Sequence, residues 1–277
     1  MNSTLKLTFL GTGSSGGVPR VGGDWGACDP NEPRNFRLRC SVIVELDGGS
    51  GERPTRVLID TSPDLRTQLL ATGTTALDGL IFTHDHADQT HGIDDLRPLV
   101  YRMGKRIPTF MDQETASSLE TKFRYVFEGQ GGYPPILDLQ DLIKPEKVFA
   151  IDGPGGRMEI LPIRQVHGAI VSLGFRIGGL AYCNDVNALP CESLAALEGI
   201  DTFIVDALRY APHGSHAHLE QSLEWRKMVG ARHTILTNLH VDMDYQALLK
   251  TLPSDVVPAY DGMAVALPYQ LDKFPII

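Results

Sequence analysis

Leu80-Ile81-Phe82-Thr83-His84-Asp85-His86-Ala87-Asp88-Gln89-Thr90-His91-Gly92 decides how this chain is read. An apolar run of strand character delivers histidines at i and i+2 and an aspartate at i+4, and a glycine closes the turn. A strand end and the turn after it can thus present several ligands to one point. Imidazole together with carboxylate suits zinc, manganese or iron. Packing does not explain three histidines and two aspartates between His84 and His91, directly after a buried strand.

A metal needs partners from elsewhere in the chain, and the later half offers them at the ends of apolar runs. His167 follows Pro162-Ile163-Arg164-Gln165-Val166, Asp185 follows Leu180-Ala181-Tyr182-Cys183-Asn184, and His240 follows Thr234-Ile235-Leu236-Thr237-Asn238-Leu239. Loops beyond strand ends are where a scaffold gathers functional groups. Each residue alone reads equally well as a surface residue; the repeated position is what singles them out.

Outward from these segments, strands are predicted over 5–10, 40–46, 56–59, 79–82, 107–110, 157–163, 172–177, 180–183, 202–205 and 233–236, roughly ten in all. Between them, Ser62-Pro63-Asp64 supplies an N-cap, a proline at N1 and an acidic first turn for a helix over 65–71. Further helices are predicted over 112–127, 192–197, 219–229 and 245–252. The segment 128–147, with Gly129-Gln130-Gly131-Gly132-Tyr133-Pro134-Pro135, fits neither period. It reads as a long surface loop covering a site, or as a plain crossover.

The chain has 277 residues, with 25 Lys+Arg against 34 Asp+Glu and a net charge of −9. With 42% hydrophobic and 21% charged residues it can bury a sizeable core. The acidic balance opposes a protein that grips long nucleic acid through bulk positive charge. No apolar run approaches the roughly 20 residues of a membrane span. Met1-Asn2-Ser3-Thr4-Leu5-Lys6 lacks the pattern of a signal peptide, so a cytoplasmic protein is expected. Cys28, Cys40, Cys183 and Cys191 form no C-x-x-C pair and read as buried free thiols.

Taken together, the H-x-H-x-D segment, His167, Asp185 and the late histidine resemble the metallo-β-lactamase superfamily. Within it, Phe9-Leu10-Gly11-Thr12-Gly13-Ser14-Ser15-Gly16-Gly17-Val18-Pro19, the run Cys40-Ser41-Val42-Ile43-Val44 and the stretch 83–99 resemble the PhnP-like branch of cyclic phosphodiesterases. That branch lies close to the tRNA 3′-processing endonucleases. The resemblance spans about residues 7–263. It implies an α/β fold, the four-layer αββα metallo-β-lactamase sandwich, as a single domain over 1–277. It also implies one or two divalent metal ions, zinc or manganese. The implied reaction is hydrolysis of a small phosphodiester, a cyclic nucleotide or cyclic sugar phosphate. Its nucleophile would be metal-bound hydroxide, from water acidified from a pKa of about 15.7 towards about 7.

By the same resemblance His84, His86 and His167 match the first metal site, Asp185 the bridging carboxylate and Asp88 a second-site ligand. Two positions depart from the pattern, since Gln89 and Asn238 stand where the superfamily has histidines. Amides are poor zinc ligands, yet His91 and His240 each lie two residues downstream. The preferred expectation is a shifted second site built from Asp88, Asp185, His240 and His91; the alternative is one tight ion with a weak or absent second. A structural zinc in the loop after the first strand is not expected, because only Cys28 remains there.

The stretch Gly214-Ser215-His216-Ala217-His218 resembles the branch's histidine motif beside the scissile phosphate. It makes His216 the general-acid candidate and His218 its near alternative, with Asp88 counted beside them as catalytic. Ser14, Ser15, Arg37, Arg39 and Arg97 are the candidate phosphate contacts, although the glycine turn fits a purely conformational role as well. Asp60 resembles the aspartate that orients a ligand histidine, and Asp206 is read the same way. The expected partner is a small phosphodiester or nucleotide, with no membrane and no long nucleic acid, and a homodimer is compatible. RNA 3′-end processing is opposed by the acidic chain and by the lack of a basic inserted arm. A carrier role, as argued for the pyrroloquinoline-quinone biosynthesis protein PqqB, is the non-enzymatic alternative.

Overall fold

Period-two alternation fixes the inner face of the first strand, where Leu5, Leu7 and Phe9 are fully buried and Thr4, Lys6 and Thr8 are not. The computed structural model describes residues 3–270. Met1 and Asn2, read above for a leader, and 271–277 of the expected domain lie outside the described residues. One seven-stranded sheet contains β1 (Ser3–Gly11), β2 (Ser41–Asp47), β3 (Thr55–Ile59), β4 (Gly79–Ile81), β5 (Ile107–Phe110) and β6 (Leu137–Leu139). The second contains β7 (Phe149–Gly153), β8 (Gly156–His167), β9 (Ile170–Ile177), β10 (Leu180–Cys183), β11 (Thr202–Asp206), β12 (His233–Thr237) and β13 (Val256–Pro258). The last strand, β14 (Ala264–Tyr269), returns to pair with β1 at the edge of the first sheet.

Between strands run α1 (Leu65–Ala71), α2 (Ala87–Thr90), α3 (Arg97–Met103), α4 (Gln113–Lys122), α5 (Arg124–Glu128), α6 (Cys191–Leu197), α7 (Leu219–Val229) and α8 (Tyr245–Thr251). Strands β3 to β6 are mutually parallel, as are β10 to β13. Parallel neighbours bring all their carboxyl ends to one edge and need crossover connections, which the helices supply. Leu7, Val44, Ile59, Phe175, Tyr182 and Ile204 fill the space between the sheets. Outside the first sheet Leu65, Val100 and Leu119 pack on Leu58, Leu80 and Phe82. Outside the second, Leu197, Trp225 and Leu248 pack on Phe203, Val205 and Leu236. The layers are therefore αββα, as the resemblance implied.

Four expectations change. The helix over 112–127 is two, broken at Phe123, whose φ of −130° leaves the helical region. The segment 128–147 is not all loop, because β6 within it pairs in parallel with β5. Cys191, at the start of α6, is exposed, while the other three cysteines are buried. Helix α1 is capped at Asp64 rather than Ser62, whose hydroxyl instead accepts from the Asp64 N–H at 3.2 Å. Among the described residues no helix is long and apolar enough to cross a membrane.

Candidate metal centre

The carboxyl edge of the sheets bends sharply at Asp60, Asp185 and Asn238, with φ of 64°, 51° and 61°. Short polar Asp and Asn tolerate this left-handed region better than other side chains bearing a Cβ. Sparse backbone conformations of this kind gather at functional sites. The three bends follow β3, β10 and β12, so both sheets contribute.

His84 stands just beyond β4, held by a relay from Asp60. The Thr83 N–H donates to Asp60 Oδ1 at 2.8 Å and the Thr83 hydroxyl to Oδ2 at 2.8 Å. That hydroxyl's remaining capacity is as an acceptor, 2.9 Å from His84 Nδ1, so Nδ1 carries the hydrogen. Nε2 is left as a lone pair, buried and with no hydrogen-bond partner. His167, at the end of β8, is fixed likewise, with Nδ1 2.6 Å from the Ser215 carbonyl and Nε2 3.2 Å from His86 Nδ1. His86 caps α2 at its exposed amino end. One ligand atom from each of these histidines lies within 4.8 Å of the others.

Burial, aided by His86 and His167, holds His84 well below the ordinary histidine pKa. Burial and the neighbouring His216 take His167 down to about 4, against the pull of the Ser215 carbonyl. Both are therefore neutral at pH 7, the form that binds a metal. An orphaned buried lone pair, three converging imidazoles and outward-facing N–H groups fit a divalent cation.

On the other side of His167, Asp185 is buried, and burial with the charge of Asp88 pushes its carboxyl well above the usual range. Its Oδ2 accepts from Gln89 Nε2 at 3.0 Å and from Asn184 Nδ2 at 2.6 Å, and its Oδ1 from Asn238 Nδ2 at 3.2 Å. His216 Nδ1 lies 2.8 Å from Asp206 Oδ2 and 3.5 Å from Asp185 Oδ1, with its ring centroid 4.7 Å from that of His167. Burial opposes charge on His216, but the hydrogen bond and charge of Asp206 prevail and raise it to about 9. His167, Asp185 and His216 form the second cluster able to face a cation among the described residues.

The structure does not assemble the shifted second site. His91 closes the short helix α2, and its ring packs edge-on against Phe123 at 5.6 Å. His240 is engaged by Asp242 at 3.0 Å and by Arg20 at 3.4 Å, and neither histidine joins either cluster. Asp88, in the first turn of α2, does face this side and accepts from Gln89 at 3.3 Å. His218 caps α7 and joins no cluster.

Arg37 is 1% exposed and donates inward to the Met243 carbonyl at 2.7 Å, which removes it from substrate contact. Arg39 pairs with Asp64 at 2.9 Å, and Arg97 with Asp94 at 2.7 Å. Ser14 is buried, with its N–H on the Leu239 carbonyl at 3.4 Å, whereas Ser15 is exposed. Gly13 bridges both Arg39 and Leu239, and a Cβ there would meet Arg37 at 2.9 Å, so this turn needs its glycine for close packing. Cys28 packs with Val18, Val241 and Trp25. His213 was missed in the sequence. Its ring lies 5.2 Å from His216, and the density of histidine in Pro212-His213-Gly214-Ser215-His216-Ala217-His218 was the available signal.

A family model described as a β-lactamase superfamily domain matches residues 55–238. The crystal structure of a new diphosphatase from the PhnP family is 32% identical, with a TM-score of 0.87 over 98% of this chain and 100% of that one. Human short-form tRNase Z is 16% identical with a TM-score of 0.65, over 95% of this chain and 99% of its own, and shares the fold. A Porphyromonas gingivalis protein named octanoyltransferase is 31% identical over 263 residues, 94% of this chain and 51% of its own length. The chain thus spans about half of that curated relative.

Proposed function

We propose, from the premise that this chain belongs to the metallo-β-lactamase superfamily in its PhnP-like branch, that it hydrolyses a compact phosphodiester or diphosphate. The observation that carries the reading is a set of three converging imidazoles beside a histidine held by a buried aspartate, His216 on Asp206. His84, His86 and His167 would hold a divalent ion. When bound, the ion supplies Lewis acidity and a nucleophile drawn from water at neutral pH.

The chain's own residues supply orientation and a proton. Asp60 and Thr83 keep the His84 lone pair directed away from its N–H, and the Ser215 carbonyl does the same for His167. His216 has Nδ1 committed to Asp206, so Nε2 is the nitrogen that donates to a leaving oxygen. A compact substrate is favoured because an extended strand needs a continuous positive track. The net charge is −9, and Arg37, Arg39 and Arg97 are engaged within the protein. The PhnP-family relative, described as a diphosphatase, supports chemistry at phosphorus.

Reconstituted with manganese or zinc, the chain should cleave bis-p-nitrophenyl phosphate and a cyclic phosphate or diphosphate to monoesters. His216→Ala should slow unactivated substrates by roughly 10²- to 10⁴-fold. Nitrophenyl esters should lose less, because their leaving group needs little protonation. Equal losses would remove His216 as the acid; a metallated protein inert toward every such substrate would leave the carrier reading.

A further inference from the structure

We infer that the centre holds a single cation, at His84, His86 and His167, and that the amides of Gln89 and Asn238 take up the hydrogen-bonding room a second cation would need. The inference rests on the metal-dependent reading above and deepens it. A second ion in this fold would have to share Asp185. Even when ionised, as a shared cation would require, that carboxylate offers only about four lone-pair directions, and N–H donors compete with cations for them. Gln89 at 3.0 Å, Asn184 at 2.6 Å and Asn238 at 3.2 Å already use three, and His216 stands 3.5 Å from the remaining side. Neutral donors satisfy a buried carboxylate without bringing charge into the cleft.

His167 sets the same limit from the other direction. Its Nδ1 is given to the Ser215 carbonyl, leaving one lone pair at Nε2, and a lone pair binds one cation. The two clusters able to face a cation, His84-His86-His167 and His167-Asp185-His216, both include His167. The first has an orphaned nitrogen in His84, whereas in the second Asp185 is already occupied and His216 already hydrogen-bonded. Of the side chains expected to rescue the second position, His91 and His240 face Phe123, Asp242 and Arg20. Asp88 alone cannot complete the four ligands that zinc takes.

The test is a count. The chain is stripped with chelator, reconstituted separately with zinc, manganese and magnesium, desalted and analysed by mass spectrometry, with paramagnetic resonance on the manganese form. About one equivalent and the six-line signal of an isolated manganese ion are expected. Gln89→His/Asn238→His should bind about two equivalents and give a spin-coupled manganese signal. Two equivalents of any of the three metals in the natural chain, including a hard cation taken through the amide oxygens, overturn the inference. So does a folded double variant that stays at one; should that variant not fold, Asn238→His alone is scored by the same count. A natural chain that retains no ion overturns the hydrolase reading together with the count, whereas two ions overturn only the count.

Discussion

On one side of His167 stand His84 and His86; on the other stand Asp185, Gln89, Asn238 and His216. Both corners are built at strand ends, both are largely buried, and both hold polar groups that packing alone would not select. They differ in where their hydrogens point. At the histidine corner Thr83 and the Ser215 carbonyl draw the ring N–H groups outward and leave lone pairs inside. At the amide corner the N–H groups of Gln89, Asn184 and Asn238 point inward onto Asp185. One arrangement leaves lone pairs open to a cation, and the other fills a carboxylate's lone pairs with N–H donors. The contrast shows that ligand capacity depends on which partner satisfies the far side of each group, as much as on residue type.

The largest test of this contrast is at the histidine corner. His86→Ala removes one of three converging nitrogens from an exposed position, so bound metal and activity should both fall to near zero while the circular dichroism spectrum stays native. Full occupancy in that variant would break the assignment. A smaller loss is expected from Asp60→Asn, which keeps a residue type suited to a φ of 64° but weakens the relay to His84. Metal affinity, read by chelator competition, should fall about 10- to 100-fold.

The amide corner is propped by Asp261, which accepts from Leu38 N–H at 2.7 Å and from Thr12 Oγ1 at 2.8 Å, while the Thr12 carbonyl accepts from Leu239 N–H at 2.9 Å. Burial lifts Asp261 from 3.8 to about 7 against those two hydrogen bonds. A carboxyl with a raised folded pKa adds stability that is full below its unfolded value and lost as pH rises through the folded one. Asp261→Asn, which cannot ionise, should therefore gain in Tm relative to the natural chain between pH 5 and pH 8. A difference that stays flat with pH would mean that Asp261 does not titrate there. The smallest effect should come from His240→Ala, which ought to leave metal content unchanged because its ring serves Arg20 and Asp242.

The inner strands were legible and the outer ones were not. Strands β1 to β5 and β8 to β12 carry alternating or unbroken apolar runs, and all were expected. The four that were not, β6, β7, β13 and β14, are the edges of the two sheets. An edge strand buries less and pairs on one side, so its pattern weakens; β14 has one buried residue in six. In the site, the candidates that follow a strand directly come together, and the two placed two residues downstream do not. Two residues along a helix turn a side chain by roughly 200°, so His91 leaves the face that Gln89 occupies. At Asn238 the left-handed backbone redirects the chain before His240 is reached. Arg37 was misread because an arginine beside a strand looks solvated until Cys28, Asn35 and two backbone carbonyls close around it.

His86 and His167 face each other at 3.2 Å although 81 positions separate them along the chain. A cation held by both would close that span and act as a removable cross-link between the two sheets. Restricting so long a loop limits the freedom of the unfolded chain in the manner of a disulfide, but reversibly. Thermal resistance would then become a matter of mass action, gaining about 2.7 kcal/mol when free ion stands at a hundred times its dissociation constant. In a cell, starvation for metal would weaken the seam between the halves as well as silence the cleft.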